Sequence, residues 1–378
     1  VSDLDGSAVA SLRRLNGSKV LSVLRAEAYR KFTVREMSIA TGLSRPTVGR
    51  LLDDLVEAGW AQSAEGRPGA TGRPARRYSF NRLRGLIASL DVGYAGVGIM
   101  ITDLVGSELS WTMEWGLALE TVESCIDHVM PLFSQKLSEV SADLGLDEDL
   151  PVLAVSLSAP VIPDADGVHV DTLSTVNGWR GGSFVPTLRE RFGDVPILVN
   201  NDILLSAEAE LHLGALSTSD QGMFCFLAWF SSIVLIHEGQ VHRGTFNLAG
   251  DVGSLPEYRW PDVIVEALES SGFNHPASVG RMLEAAANGH EAAQDGIRSV
   301  GQGLARGIAD VAAMWDPDTI VFAGQLSTAP DLLFEPIESG LRALGSEDFE
   351  LLRAEVDPEK GSCLGGVIKA LDAIDWTV

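Results

Sequence analysis

TVREMSIATGLSRPTVGRLLDDL, residues 33–55, contains two helix starts and one helix stop in a single short run. Thr33 and Glu36 have the spacing of a capping box, in which a hydroxyl and a carboxylate each satisfy an orphan backbone N–H. Met37, Ile39 and Ala40 are expected to form the apolar side of the helix that follows. Gly42 stops it with a left-handed turn, and Leu43 packs inward. Ser44 caps the next helix, with Pro46 in the first turn, where a missing N–H costs nothing. Val48, Leu51, Leu52 and Leu55 make that helix's buried stripe. Upstream, Lys19 to Tyr29 carries Val20, Leu21, Val23, Leu24 and Ala28 at helical spacing. Two helices joined by a short glycine turn predict a helix-turn-helix.

The second helix of such a unit enters the major groove of DNA N-terminus first. Ser44, Arg45, Thr47 and Arg50 lie off the apolar stripe near that end. We expect Arg45 and Thr47 to face bases and Arg50 to face the backbone. After Gly59-Trp60 the chain turns basic and rich in Gly and Pro from Glu65 to Tyr78, with Arg67, Arg73, Arg76 and Arg77. This composition suits a β-ribbon wing or an extended arm in a minor groove. A plain interdomain linker, or a winged helix that docks protein, fits the same composition.

The wider composition sharpens this contrast. The chain has 378 residues, which suggests two or three domains. Its net charge is −24, but residues 1–80 sum to +5 and the remainder to −29. A basic head on an acidic body confines any nucleic-acid footprint to the head. The 46% hydrophobic and 21% charged content excludes wholesale disorder. Cys125, Cys225 and Cys363 are widely spaced, which excludes a disulfide framework and suits a reducing cytoplasm. The first 20 residues contain no apolar signal-peptide core. The longest apolar run, Met223 to Ile236, is too short to span a bilayer and reads as buried strand. A cytoplasmic protein without a membrane partner is expected.

The body reads as alternating strands and helices. An apolar strand ends in Asp91-Val92-Gly93, and a second, Gly96 to Thr102, ends in the turn Asp103-Leu104-Val105-Gly106. Val152 to Leu157 is a strand leading to Ser158-Ala159-Pro160. Asn177-Gly178-Trp179, a helix from Val185 to Phe192 and a strand at Pro196–Val199 follow. Then come Asn200-Asn201-Asp202, a helix from Ile203 to Leu213, and Gly250-Asp251-Val252-Gly253-Ser254. In this order the segments resemble the ROK family of repressors, open reading frames and kinases. The head is similar to the winged helix-turn-helix of its repressors. The resemblance implies an α/β fold: an N-terminal winged helix-turn-helix joined to an actin-like, two-lobed sugar-kinase body. It suggests a head at 1–82, one lobe at 83–200 and a second at 201–378, whose last segment can return to the first lobe.

The resemblance maps the family's catalytic aspartate onto Asp202, with Asn201 beside it; a helix-capping Asp is the plainer reading. The family's glycine-bearing second phosphate loop corresponds to Leu227–Ile233, which has no glycine, and Trp229 and Phe230 would obstruct phosphate. The first loop carries Tyr94-Ala95, and Val321–Gln325 retains only Gly324. The family's sugar- and zinc-binding His is replaced by Ser254. Leu255 to Phe273 contains neither Cys nor His, and a lone His275 follows. We therefore expect no phosphoryl transfer, no structural zinc and no cofactor. Asn177, Asn201, Asp202 and Asp251 are left as a candidate polar cleft for a sugar or sugar-derived effector. The alternative is a collapsed cleft filled by Trp229 and Phe230. The expected function is a DNA-binding transcriptional regulator of carbohydrate-related genes, acting as a homodimer or homotetramer on a double-stranded operator. Two alternatives stay open: a sugar kinase with an appended head, and an effector-independent regulator.

Overall fold

The structure, a computed structural model, describes residues 2–65, 75–93, 96–115, 121–162, 179, 182–228, 230–273, 278–345 and 349–376, with side chains from residue 11 onward. The head is built from helices α1 (Ser2–Ala26), α2 (Val34–Thr41) and α3 (Arg45–Glu57). Strands β1 (Phe32–Thr33), β2 (Ala61–Ala64) and β3 (Arg77–Phe80) form an antiparallel sheet in the order β1-β3-β2. The Glu36 carboxylate accepts the Thr33 N–H at 2.7 Å, and the Thr33 hydroxyl accepts the Glu36 N–H at 3.2 Å. Gly42 ends α2 at φ 72°, a conformation that costs glycine least.

Two local expectations for the head need correction. The first helix runs Ser2–Ala26 rather than Lys19–Tyr29, and the chain turns at 27–29. Ile39 is 74% exposed and Ala40 is also exposed, so neither forms the apolar side of α2. Met37 and Thr41 are buried instead. They lie one turn apart on one face, and residues 39 and 40 are rotated away from it.

The body contains two five-stranded sheets. The first comprises β4 (Leu86–Val92), β5 (Gly96–Thr102), β6 (Glu108–Trp115), β7 (Val152–Ala159) and β8 (Ile197–Asn201), ordered β6-β5-β4-β7-β8. The second comprises β9 (Gly222–Phe226), β10 (Ser232–His237), β11 (Gln240–His242), β12 (Thr319–Ala323) and β13 (Glu350–Arg353), ordered β11-β10-β9-β12-β13. In each, three antiparallel strands are followed by two parallel ones. The run Met223–Ile236, read above as buried strand, is a hairpin: β9 and β10 pair antiparallel around residues 227–231. Hydrophobicity alone does not reveal the reversal, because both arms are buried.

Helices α4 (Val122–Asp143) and α5 (Val185–Phe192) cover one face of the first sheet. Helices α7 (Trp260–Ser270), α8 (Val279–Ala287), α9 (Glu291–Trp315) and α10 (Asp331–Arg342) bury the corresponding face of the second. Between the sheets lie α6 (Asp202–Leu213) and α11 (Gly361–Ala373), packed against each other. Leu204, Ala207 and Leu211 of α6 pack on the second sheet, whereas α11 packs on β4 and β7 of the first. The order is therefore first sheet, α11, α6, second sheet. This is the actin-like arrangement of two similar lobes around paired central helices. Among the described residues no helix is long and apolar enough to cross a membrane.

Head and first lobe share one core. Val20, Leu24, Leu52 and Phe80 of the head cluster with Ile87, Met100, Cys363, Val367 and Ile374. Polar contacts flank this joint. Asp103, fully buried, pairs with Arg82 at 2.5 Å and accepts the Val105 and Ser107 N–H groups. Tyr29 and Ser107 share a hydrogen bond of 2.7 Å.

Candidate functional site

Two sites emerge, one on the head and one in the body. On α3, Val48, Leu51, Leu52 and Leu55 face inward, which turns residues 45, 46, 49, 50 and 53 outward. The Ser44 and Thr47 hydroxyls bond each other at 2.8 Å, and the Thr47 N–H reaches Ser44 Oγ at 3.4 Å. Thr47, expected to face bases, thus belongs to the helix cap in the free protein. Arg45 and Arg50 are exposed and make no ion pair among the described residues.

The other basic residues are placed differently. The Arg76 guanidinium bonds Asp53 at 2.8 Å and Ser63 at 2.8 Å, and lies over Tyr78. Arg77 donates to the Lys31 carbonyl at 3.2 Å. Arg13 pairs with Asp54 at 2.7 Å. Arg13 and Arg76 thereby neutralise both aspartates of α3, which would otherwise repel a phosphate backbone. Arg67 and Arg73 lie outside the described residues, between β2 and β3.

In the body, parallel pairing aligns Asp91 of β4 with Ser158 of β7, and Ser158 with Asn200 of β8. These residues sit at the carboxyl ends of parallel strands, where open α/β sheets bind ligands. Asp202 follows at the first position of α6. The helix cap is Asn201, whose side-chain oxygen accepts the Ile203 and Leu204 N–H groups at 3.1 Å each. Its amide donates to the Val161 carbonyl at 3.2 Å. Asn201 is therefore the helix cap, and the Asp202 carboxylate shares the Ile203 N–H at 2.9 Å, so part of the capping role considered for Asp202 is present.

Asp91 and Asp202 keep part of their surface open but are walled in by protein. Burial pushes the Asp91 carboxyl up to about 6, opposed by the Ser158 and Ser362 hydroxyls. Burial, then the charge of Asp91, pushes Asp202 up to about 7, opposed by the Ile203 N–H. Two nearby carboxyls in one low-dielectric site cannot both ionise freely near neutrality. Ser362, on the first turn of α11, contacts Asp91 from above. Ser158 faces the same carboxylate without the alignment of a complete hydrogen bond, and its neighbours Ser89 and Ser156 are likewise buried without partners. Such a site suits a ligand rich in hydroxyl donors, which a carboxylate accepts well.

The remaining candidates are dispersed. Asp251 accepts the Ser232 hydroxyl at 3.2 Å and the Ser254 hydroxyl at 2.8 Å, all on the second lobe. Asn177 lies outside the described residues, as do Tyr94, Ala95, Trp229 and His275. Phe230 is 37% exposed, so it does not fill a collapsed cleft as core. Composition and motif order did not single out Ser158, Ser362 or Arg243. Arg243 reaches from the end of β11 to Asn200 at 3.0 Å and to buried Glu208 of α6 at 3.5 Å. A cation immediately after a hairpin strand carries no local signal for that reach.

Comparison with known proteins finds likenesses for both the head and the body. A model of the ROK family matches residues 266–365, and a model of the IclR helix-turn-helix domain matches residues 16–65. The chain is 20% identical over 375 residues to the DNA-binding transcriptional dual regulator NagC of Escherichia coli K12, covering 92% of this chain and 90% of that one. A crystallised ROK family transcriptional regulator, a homologue of the E. coli MLC protein, superposes with a TM-score of 0.71 at 18% identity, over 96% of each chain. A ROK family glucokinase from Streptomyces griseus covers 76% of this chain and all of its own, with a TM-score of 0.59 at 21% identity. The kinase matches about three quarters of this chain, whereas the regulator matches nearly all of it.

Proposed function

We propose that this ROK family chain, headed by an IclR-type helix-turn-helix, is a DNA-binding transcriptional regulator of sugar-related genes whose body binds an effector and performs no phosphoryl transfer. One observation carries the reading: a capped α3 that presents Arg45 and Arg50 outward, with its two aspartates, Asp53 and Asp54, paired to Arg76 and Arg13. A basic, exposed helix N-terminus without internal partners suits a polyanion. The body is proposed to dimerise and set two heads on half-sites one helical turn, about 34 Å, apart or a multiple of that. A sugar or sugar-derived effector at the Asp91–Asp202 site would favour one arrangement of the lobes. The chain is taken to act in the cytoplasm, with the glycine-free 227–233 segment in place of a phosphate loop.

The test is a binding selection on fragmented DNA from the source genome at two salt concentrations. Recovery of a discrete inverted repeat is expected; recovery of all sequences alike would overturn the reading. On that repeat, Arg45→Ala should relax base preference, costing about 1–3 kcal/mol at one position. Arg73→Ala should weaken all sequences alike and reduce the salt slope by about 1.

Gly49 provides a sharper probe. A Cβ there would meet nothing within 4 Å, and no unusual backbone angle requires glycine. Mid-helix glycine costs about 1 kcal/mol relative to alanine, so folding alone does not explain it. Between Arg45 and Arg50 it permits close approach to DNA. Gly49→Ala should raise the unfolding free energy by up to about 1 kcal/mol while weakening the selected duplex severalfold. Urea unfolding and a duplex titration measure the two effects.

A second reading, a sugar kinase with a DNA-binding head, draws on the proton affinity of Asp202, which suits a general base near neutrality. A coupled kinase assay over common hexoses and amino sugars decides it. Turnover above an Asp202→Asn control would support the kinase; equal rates exclude it for those sugars.

A further inference from the structure

We infer that α11 is a strut that carries the state of the Asp91–Asp202 site to the DNA-binding head, with Trp376 as its contact with the head. This rests on reading the chain as an effector-controlled regulator and adds the route by which that control travels. Four observations support it.

The first is at the N-terminal end of α11. The Ser362 hydroxyl lies close enough to the Asp91 carboxyl to oppose the rise in its proton affinity, and the Cys363 thiol donates to the Ser89 carbonyl at 3.7 Å. Any ligand that engages Asp91 competes with Ser362 for the same oxygens.

The second is at the other end. Trp376 packs against Trp60 with ring centroids 5.3 Å apart and against Phe80 at 6.2 Å. The Arg25 guanidinium of α1 lies 3.5 Å over the Trp376 ring, with Asp372 of α11 attracting it. The Trp376 indole N–H donates to the Leu371 carbonyl at 3.1 Å, which fixes the ring to the end of the helix. Trp60 closes the turn after α3, so the contact lies directly behind the recognition helix.

The third is the seat of α11. A Cβ at Gly366 would strike the Ser89 and Ser156 hydroxyls, and one at Gly365 would strike the Leu205 carbonyl of α6. Backbone therefore lies close on both sides, and the helix must move with its neighbours. The surface beneath it is a stripe of hydroxyls, Ser89, Ser156 and Ser158, left without partners. Unpaired buried hydroxyls do not fix one position as interlocked apolar side chains do.

The fourth links the second lobe. Buried Glu208 of α6 pairs at 3.5 Å with Lys369 of α11 and at 3.5 Å with Arg243 of the second lobe. A shift of the lobes thus acts on α11 by charge as well as by contact.

Hydrogen exchange on the full chain tests the strut. Asp202→Asn changes the charge at the site, and head peptides from α1 to α3 are read against β12 in the second lobe as the internal reference. The referenced head exchange should change about 5-fold or more, the range of a real coupling free energy. That change should vanish when Asp202→Asn is combined with Trp376→Ala or with Ser362→Ala, and persist when it is combined with Trp376→Phe. Ser362 is remote from the head, so its arm stays informative even if Trp376→Ala loosens the head by itself. An unchanged head in Asp202→Asn, or a change that survives Ser362→Ala, overturns the strut. Titrating the selected duplex with the same proteins keeps the two readings apart. Coupled exchange without duplex binding leaves the strut standing and removes the DNA reading. Duplex binding with an uncoupled head does the reverse.

Discussion

Asp202→Asn should make the protein more stable at pH 8 and lose most of that advantage by pH 5. The folded chain raises the proton affinity of Asp202 to about 7 and of Asp91 to about 6, against an ordinary value of 3.8. Between those limits the folded state holds protons that the unfolded state has released. The stability contributed by the two carboxyls is therefore complete below about pH 4 and is lost as pH rises through 6 and 7. Asparagine removes the cost of ionising residue 202 and relieves Asp91 of a like charge. At about 1.4 kcal/mol per pKa unit, discounted for the coupling between the two, the gain at pH 8 is on the order of 3 kcal/mol. For a chain of 378 residues that corresponds to a rise in melting temperature of roughly 4 °C. Urea unfolding of both proteins at half-unit steps from pH 5 to 8 measures it. A gain that stays constant with pH would mean that the carboxyls titrate as ordinary exposed ones.

Gly365→Ala should destabilise the chain by about 3 kcal/mol, at the upper end for overpacking. The added methyl would overlap the Leu205 carbonyl group, and its neighbour there is helix backbone, which cannot swing aside as a side chain can. Alanine's better helix propensity recovers at most about 1 kcal/mol. Gly49→Ala supplies the control, because the same substitution in open space stabilises. Equal and small effects at both positions would show that α6 and α11 do not meet as closely as described.

These two positions also show what a sequence can and cannot disclose. The head was legible because its signals are local. Thr33 with Glu36, Gly42, and Ser44 with Pro46 each settle a helix end within a few residues, and each was found in place. Ile39 and Ala40 misled because apolar residues on an eight-residue helix need not share its buried face. The hairpin inside Met223–Ile236 was hidden because both of its arms are buried and no Gly or Pro marks its turn. In the body, the order of motifs was sufficient to identify the actin-like fold class. The site was less legible because it depends on register. Asp91, Ser158 and Asn200 become neighbours only when three parallel strands, separated by long crossovers, align at their ends. Ser362 joins them from a helix more than 150 residues beyond Asn200. Neither spacing nor composition records such a meeting.

The two sheets share one wiring diagram, three antiparallel strands and then two parallel, yet they are filled differently. On the second, the central strands are apolar on both faces: Met223, Cys225, Ile320 and Phe322 toward one core, Phe224, Val321 and Ala323 toward the other. On the first, the face under α11 carries Ser89, Asp91, Ser156 and Ser158, where the second has hydrocarbon. The copies have thus divided their labour. One serves as an anvil, dry and tolerant of exchange among aliphatic side chains of equal volume. On the proposed reading the other is the instrument, where a single methyl or hydroxyl would change what the protein senses. Variation among descendants of this chain should therefore be read by lobe: drift in the anvil preserves the response, and the same degree of drift in the instrument retunes it.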